Sequence, residues 1–179
     1  MPVKRLAVRG GLCEYGRNNI TYCGDWGSFV RLGAYVSDME PKDYIWRDVV
    51  SMASCENCCK CAANCPTKAI SPNRFLINCE ICLSNLNGAD GQDIPDWVPA
   101  SVHNGLYGCY RCQEICPANK DCFENIDQIV FDEAETKIML NSSSYADFPE
   151  SIRKKLWHYE VPGAEFACIP RNLALMISK

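Results

Sequence analysis

The sequence predicts an α+β fold with a β-hairpin near the N-terminus, a largely irregular cysteine-rich centre and helices towards the C-terminus. Three observations carry that reading. β-branched and aromatic residues flank a turn-like Gly24-Asp25-Trp26-Gly27, ten cysteines crowd positions 55 to 116, and helix-start signals precede the apolar runs beyond residue 130. A length of 179 residues suits one domain, or one domain with an appendage, and leaves room for a hydrophobic core beside the cysteines.

Taken in order, residues 3–16 join an apolar-basic run to Gly10, Gly11 and Gly16, the pattern of a short helix stopped by a flexible turn. Ile20–Cys23 and Ser28–Val36 read as the two arms of a hairpin around the Gly24–Gly27 turn. Pro41 opens a predicted helix carrying Ile45, Val49 and Met52 on one face. Asn, Gly, Asp and two prolines mark Leu83–Gly108 as an irregular excursion anchored by Trp97 and Tyr107. Asp132 and Glu135, three residues apart and ahead of Ile138, Met139 and Leu140, have the signature of a capping box. A further helix is expected from about Pro149 through Ile152, Leu156 and Trp157. The domain divisions that follow are 1–50, 51–125 and 126–179.

The first cysteine run is Cys55-x2-Cys58-x2-Cys61-x3-Cys65-Pro66. Two-residue gaps let a tight turn present three thiolates to one 4Fe-4S cubane, while the three-residue gap before Cys-Pro sends the fourth sulfur to a neighbouring cluster. One such run therefore predicts a second site. Cys109-x2-Cys112-x3-Cys116-Pro117 supplies it, repeating the last three ligands and the proline but lacking a local first cysteine. The two runs then exchange their last ligands. Cys55, Cys58, Cys61 and Cys116 hold one cluster; Cys65, Cys109 and Cys112 hold the other, with Cys79 and Cys82 as candidates for its fourth position. The core is accordingly expected to be ferredoxin-like, with two clusters.

Zinc, a disulfide scaffold and a redox-active CxxC dithiol are the rival readings. Zinc does not call for a third cysteine at two-residue spacing followed by x3-Cys-Pro, least of all twice. A secreted scaffold calls for a signal peptide, whereas MPVKRLAVRGGLCEYG carries Lys4, Arg5 and Arg9 and no apolar core of the required length. Most of the cysteines left over, Cys13, Cys23, Cys59, Cys79, Cys122 and Cys168, are expected to be small buried hydrophobes. Cys59 and Cys79 lie next to ligands and are the alternatives that could replace one.

Other classes find little support. The net charge is −4, and the basic pieces Lys4-Arg5 and Arg153-Lys154-Lys155 read as solvated faces, which argues against a nucleic-acid surface. No stretch approaches the roughly 20 apolar residues of a membrane span. So many thiolates imply a reducing, cytoplasmic setting. There is no GxxxxGK[ST] loop, and His103 and His158 are the only histidines, with His103 read as a packing residue. Lys60 is expected to be an exposed side chain on a cluster turn.

RLAVRGGLCEYGRNNITYCGDWGSFVRLGAYVSDM, followed by CENCCKCAANCPTKAI and GCYRCQEICPANK, resembles the second half of the epoxyqueuosine reductases and reductive dehalogenases over residues 5 to about 120. IPRNLAL at 169–175 is similar to shorter, double-cluster-binding relatives. In that family the remote ligand of the second cluster precedes C-[IL]-[ST]-x-L, which Cys82-Leu83-Ser84-Asn85-Leu86 matches, so the resemblance implies Cys82 rather than Cys79. It also implies an electron path through both clusters to a cobalamin, held mainly by a domain N-terminal to this sequence; residues 1–50 resemble the end of that corrinoid-binding domain. The family's catalytic acid has no matching position here, and Cys13 stands where glycine is usual. Three function classes follow. The leading one is an electron-transfer protein or subunit that serves a redox partner or cofactor. The second is a cobalamin-dependent reductase whose corrinoid domain is supplied by another domain or a second copy. The third is a module whose clusters mainly staple the fold.

Overall fold

The structure is a computed structural model that describes residues 2–40, 45–74, 76–88, 92–122, 129–157 and 168–178. The chain divides into two compact units, Met1–Asn78 with Arg111–Asn125, and Cys79–Tyr110 with Ile126–Lys179.

In the first unit, helix α1 (Val3–Arg9) stops where the glycines predict: Gly10 N–H reaches the Leu6 carbonyl at 2.8 Å, and Gly11 continues at φ +83°, which a side chain would resist. A hairpin follows, but one turn earlier in sequence than expected. Strand β1 (Glu14–Tyr15) pairs antiparallel with β2 (Thr21–Tyr22), Glu14 opposite Tyr22 and Tyr15 opposite Thr21. The bend is made by Gly16–Ile20: Asn18 Oδ1 accepts the Ile20 N–H at 3.2 Å, and Asn19 takes φ +59°, a conformation asparagine tolerates well. Gly24–Trp26 is instead a 3-10 turn after the hairpin, and Ser28–Val36 forms no strand. Val30 and Leu32 pack on the small core of Val8, Cys13 and Cys23, whereas Tyr35 and Val36 are exposed.

The helix expected from Pro41 begins at residues outside those described, and 45–50 are not helical. Tyr15 is bonded from that segment instead, its N–H to the Val50 carbonyl at 3.0 Å and its carbonyl from Met52 N–H at 2.9 Å. Backbone pairing with β1 overrides the helical spacing of Ile45 and Val49, both of which are exposed. Helices α2 (Lys60–Asn64) and α4 (Arg111–Glu114) complete the unit, and Lys60 is exposed as expected.

The second unit begins with a 3-10 turn at Cys79–Ile81 and then α3 (Leu83–Gly88), a helix inside the stretch predicted to be irregular; apart from a 3-10 turn at Ala100–Val102, the described remainder of that stretch is irregular. Its anchor is Val98, 6% exposed, and not Trp97 at 52%, while Tyr107 does pack on the core. Helices α5 (Glu133–Asn141), α6 (Glu150–Trp157) and α7 (Cys168–Ile177) bury Met139, Phe148, Ile152, Leu156, Cys168 and Ile169 together. Ile152 and Leu156 are inward at i, i+4, and Trp157 is left exposed.

The capping box is complete: Asp132 Oδ1 accepts Glu135 N–H at 2.8 Å, and Glu135 Oε2 accepts Asp132 N–H at 2.9 Å. Asp132→Ala is expected to lower stability by about 1 kcal/mol, read from the urea midpoint, with Asp132→Asn retaining most of it.

Candidate iron-sulfur centre

The first cysteine run is carried on consecutive turns. Cys55 ends a 3-10 turn, Cys58 N–H reaches the Cys55 carbonyl at 3.3 Å, Cys61 sits in α2, and Cys65 follows its last residue. Arg17, 4% exposed, grips this run from the hairpin bend. Its Nη2 donates to the carbonyls of Cys55 at 2.6 Å and Glu56 at 3.2 Å, its Nε to Cys58 at 2.8 Å, and its Nη1 to Pro72 at 2.8 Å. A guanidinium suits this role because its donors diverge in a rigid plane, so that one side chain can fix several carbonyls at once.

Burial pushes the Cys61 thiol up to about 11, against a hydrogen bond from the Ala62 backbone, and Cys55, Cys116 and Cys58 push it further. Cys55, Cys58 and Cys116, the three cysteines assigned with Cys61 to one cluster by ligand exchange, thus all bear on it, although Cys116 is more than fifty residues away in sequence. A thiol raised in this way becomes a thiolate once a metal supplies positive charge. Among the described residues, no three His, Cys, Asp or Glu side chains converge at the spacing of a single metal ion.

The second run is fastened to the same hairpin region. Asn64 Nδ2 donates to the Arg111 carbonyl at 2.8 Å, holding α4 beside α2. Asn119, fully buried, accepts Ser28 N–H at 2.9 Å and donates to Ser28 Oγ at 2.7 Å and to the Gln113 carbonyl at 2.9 Å. Ser28 Oγ in turn donates to Gln113 Oε1 at 2.9 Å. Gly27 stands so close, at φ +58°, that a Cβ there would lie 2.4 Å from Asn119 Oδ1. Asn18 Nδ2 donates to the Tyr22 hydroxyl at 3.0 Å. Burial, and the Cys116 sulfur with which that hydroxyl hydrogen-bonds, hold the Tyr22 phenol above its ordinary value. The bend and β2 thus touch both runs, Arg17 the first and Tyr22 the second.

Cys65 Sγ accepts the Ala69 N–H at 3.3 Å. In the second unit, Cys82 is half-buried immediately before α3, and Asn104 Nδ2 donates to Cys109 Sγ at 3.6 Å. Asn87, fully buried, donates to the Gly108 carbonyl beside Cys109 at 2.8 Å, and its Oδ1 meets His103 Nδ1 at 3.0 Å, so the buried histidine does pack, through a hydrogen bond. From α7, Asn172 Nδ2 donates to the carbonyls of Asn87 and Leu106, both at 2.9 Å, and Arg171 Nη2 to those of Leu86 and Asn87. The IPRNLAL piece therefore positions the segments that flank Cys82 and Cys109. N–H and O–H donors aimed at cysteine sulfur are the partners that cluster thiolates take, so these residues fit a 4Fe-4S pair.

The remaining cysteines separate. Cys59 and Cys79 are exposed, and the Cys59 thiol lies 3.7 Å from the Pro72 carbonyl. Cys122 is half-buried and 3.7 Å from the Asp25 carbonyl, and Cys168 is a core residue, as expected. Cys13 and Cys23 are buried, but as partners in a disulfide and not as separate thiols, because the hairpin places them side by side. His158 lies outside the described residues. Sequence reasoning did not find Arg17, Asn18, Tyr22, Ser28, Asn119, Asn87 or Asn172; the GRNN piece that signals the resemblance was the available pointer to the first two.

Residues 54–119 match the 4Fe-4S double cluster binding domain family. The epoxyqueuosine reductase of Staphylococcus aureus is 32% identical over 131 residues, which cover 72% of this chain and 32% of that protein. The Bacillus subtilis enzyme is 33% identical over 119 residues, covering 65% and 29%. A solved structure of epoxyqueuosine reductase from Bacillus subtilis matches with a TM-score of 0.67 at 26% identity, over 98% of this chain and 46% of the other. One from Streptococcus thermophilus, at 20% identity and a TM-score of 0.65, shares the fold. The chain spans about a third of the length of the curated relatives it matches. Residues 54–119 are thus a 4Fe-4S double cluster binding domain, in a chain related to the second half of the epoxyqueuosine reductases.

Proposed function

We propose that this chain is an iron-sulfur electron-transfer protein with a ferredoxin-like core, which passes electrons through two 4Fe-4S clusters to a redox partner or cofactor. Cys55, Cys58, Cys61 and Cys116 hold the first cluster; Cys65, Cys82, Cys109 and Cys112 hold the second. The observation that carries the reading is the seating of the second run against the first: Asn64 Nδ2, one residue before Cys65, donates to the carbonyl of Arg111, one residue before Cys112, as ligand exchange requires, and Cys116 acts electrostatically on the Cys61 thiol. The exposure of Cys79 and Cys59 supports Cys82 and Cys58 as the ligands. When bound, each cluster supplies one-electron chemistry.

The chain's own residues set the terms of that chemistry. Arg17 places a buried positive charge against the Cys55–Cys58 turn, which favours the more negative, reduced state. Tyr22, oriented by Asn18, donates to the Cys116 sulfur, and Asn104 donates to Cys109. Each such bond withdraws negative charge from a ligand and raises the potential. None of the described helices is long and apolar enough to cross a membrane, and the ligand thiolates favour a reducing, cytoplasmic setting.

A second reading is the electron-transfer portion of a cobalamin-dependent reductase. Its support is a run of exposed apolar side chains, Tyr35, Val36, Met39 and Ile45, each at least 80% exposed, in the segment expected to meet a corrinoid-binding domain or a second copy. Under this reading, adding cobalamin to the reconstituted protein with that partner shifts the cobalt absorption bands.

Reconstituted protein is expected to be brown and to hold about eight iron and eight acid-labile sulfides per chain; stoichiometric zinc in their place would sink the proposal. Arg17→Met is expected to leave about half of that iron, the part held by the second set of cysteines, with Arg17→Lys recovering little because one ammonium cannot span four carbonyls. Tyr22→Phe keeps the ring and the iron but lowers the potential of the Cys116-ligated cluster, while the other stays put, as read by potentiometric electron paramagnetic resonance.

A further inference from the structure

Cys13 and Cys23 form the one disulfide among the described residues, in a chain whose other paired runs must stay as thiolates to take iron. Their meeting follows from backbone register. With Glu14 opposite Tyr22 and Tyr15 opposite Thr21, the next pair outward is Cys13 and Cys23, and their Cα separation of 4.4 Å is that of a non-hydrogen-bonded cross-strand pair. Whenever the hairpin is formed its register sets the two sulfurs side by side, and a pair placed in this way closes far faster than two thiols meeting by diffusion.

What lies between them gives the bond a consequence. The segment closed by the bond carries Arg17, fixed to the carbonyls of Cys55, Glu56 and Cys58, and also Tyr22, which reaches Cys116 and whose hydroxyl Asn18 holds. Strands of two residues each make a hairpin that is marginal by itself, so a covalent bond at its base decides how often it opens. We propose that Cys13 and Cys23 are a redox couple that locks this clamp: the disulfide holds the hairpin against both cysteine runs and retards cluster loss, and the dithiol releases it.

The exchange needs only a small thiol of the glutathione class. Cys23 is the more exposed residue, 8% against 2% for Cys13, and its sulfur is attacked first. The incoming thiolate bonds to Cys23 Sγ as the Cys13–Cys23 bond breaks, and Cys13 leaves with the electron pair and takes a proton. A second small thiol then attacks the mixed disulfide at the small molecule's sulfur and frees Cys23, which is also protonated. Two small thiols end as one disulfide, and two electrons and two protons end on the cysteine pair. In the opposite direction the same steps regenerate the lock.

The effect on iron rests on the iron-sulfur reading; the couple itself does not. The test uses the full chain, held without oxygen in glutathione or in glutathione disulfide. Alkylation with mass spectrometry reports the state of Cys13 and Cys23, and a chelator times iron release. The expected result is a pair that interconverts between the two buffers, with iron lost about tenfold faster from the dithiol form. Cys13→Ser then loses iron at the faster rate in both buffers. A pair that stays bonded in glutathione, or equal release from the two wild-type forms, overturns the proposal. If neither form binds iron, the cluster reading alone fails, and amide hydrogen exchange at residues 53–58 decides the lock: slower exchange in the disulfide form supports it, and identical exchange overturns it.

Discussion

The buried guanidinium of Arg17 is the interaction on which the first unit depends. A charge that is 4% exposed is tolerable only where dipoles replace its water, and here the carbonyls of Cys55, Glu56, Cys58 and Pro72 do so. The bond works in both directions. Three of those carbonyls, Cys55, Glu56 and Cys58, belong to the turn that carries the first two cysteines, so solvating the cation fixes the turn, and fixing the turn fixes the hairpin bend that carries the cation. Tyr22 and the Ser28–Asn119 pair then attach the second cysteine run to the same short stretch.

The second unit solves a similar problem with the same dipeptide. Arg171-Asn172 on α7 directs its donors at backbone carbonyls beside the cysteine-bearing segments, Leu86, Asn87 and Gln92 for the arginine and Asn87 and Leu106 for the asparagine. Irregular backbone around a metal centre leaves many carbonyls outside any ladder, and each is expensive to bury without a donor. Side chains with several divergent N–H groups answer that need with few residues. Arginine and asparagine therefore recur where the chain has cysteines but little secondary structure.

Signals confined to a few residues were legible in the sequence: the two cysteine runs, the glycine stop after α1, and the capping box at Asp132 and Glu135. The hairpin was legible as a kind of element but not in place. Two turn signals compete within ten residues, and Asn18-Asn19 prevails over Gly24–Gly27 because its bend brings Tyr15 into register with both β2 and the distant Ser51. That error concealed the disulfide, since Cys13 and Cys23 face each other only in the register observed. The helix read into Ile45, Val49 and Met52 failed for a related reason: periodicity describes one segment, and the partner of residues 50–52 is β1. Arg17 stood in plain view in GRNN, but its carbonyls lie 38 to 55 residues onward, beyond the reach of any local pattern.

The electrostatics of the cysteines join these threads. Without metal, Cys61 is a neutral thiol, held so first by burial and then by Cys55, Cys116 and Cys58 around it. Under the proposed assignment, the same closeness that disfavours four thiolates would become favourable with iron bound, and the four thiols would give up their protons to hold it. A site of this kind cannot be organised by its ligands alone, because without metal they repel as they ionise. Its shape has to be imposed from outside the ligand set, by groups indifferent to the protonation of the sulfurs. Arg17 meets that requirement: its charge is fixed, and the bonds named here go to peptide carbonyls that stay the same whether the neighbouring sulfurs bind protons or iron.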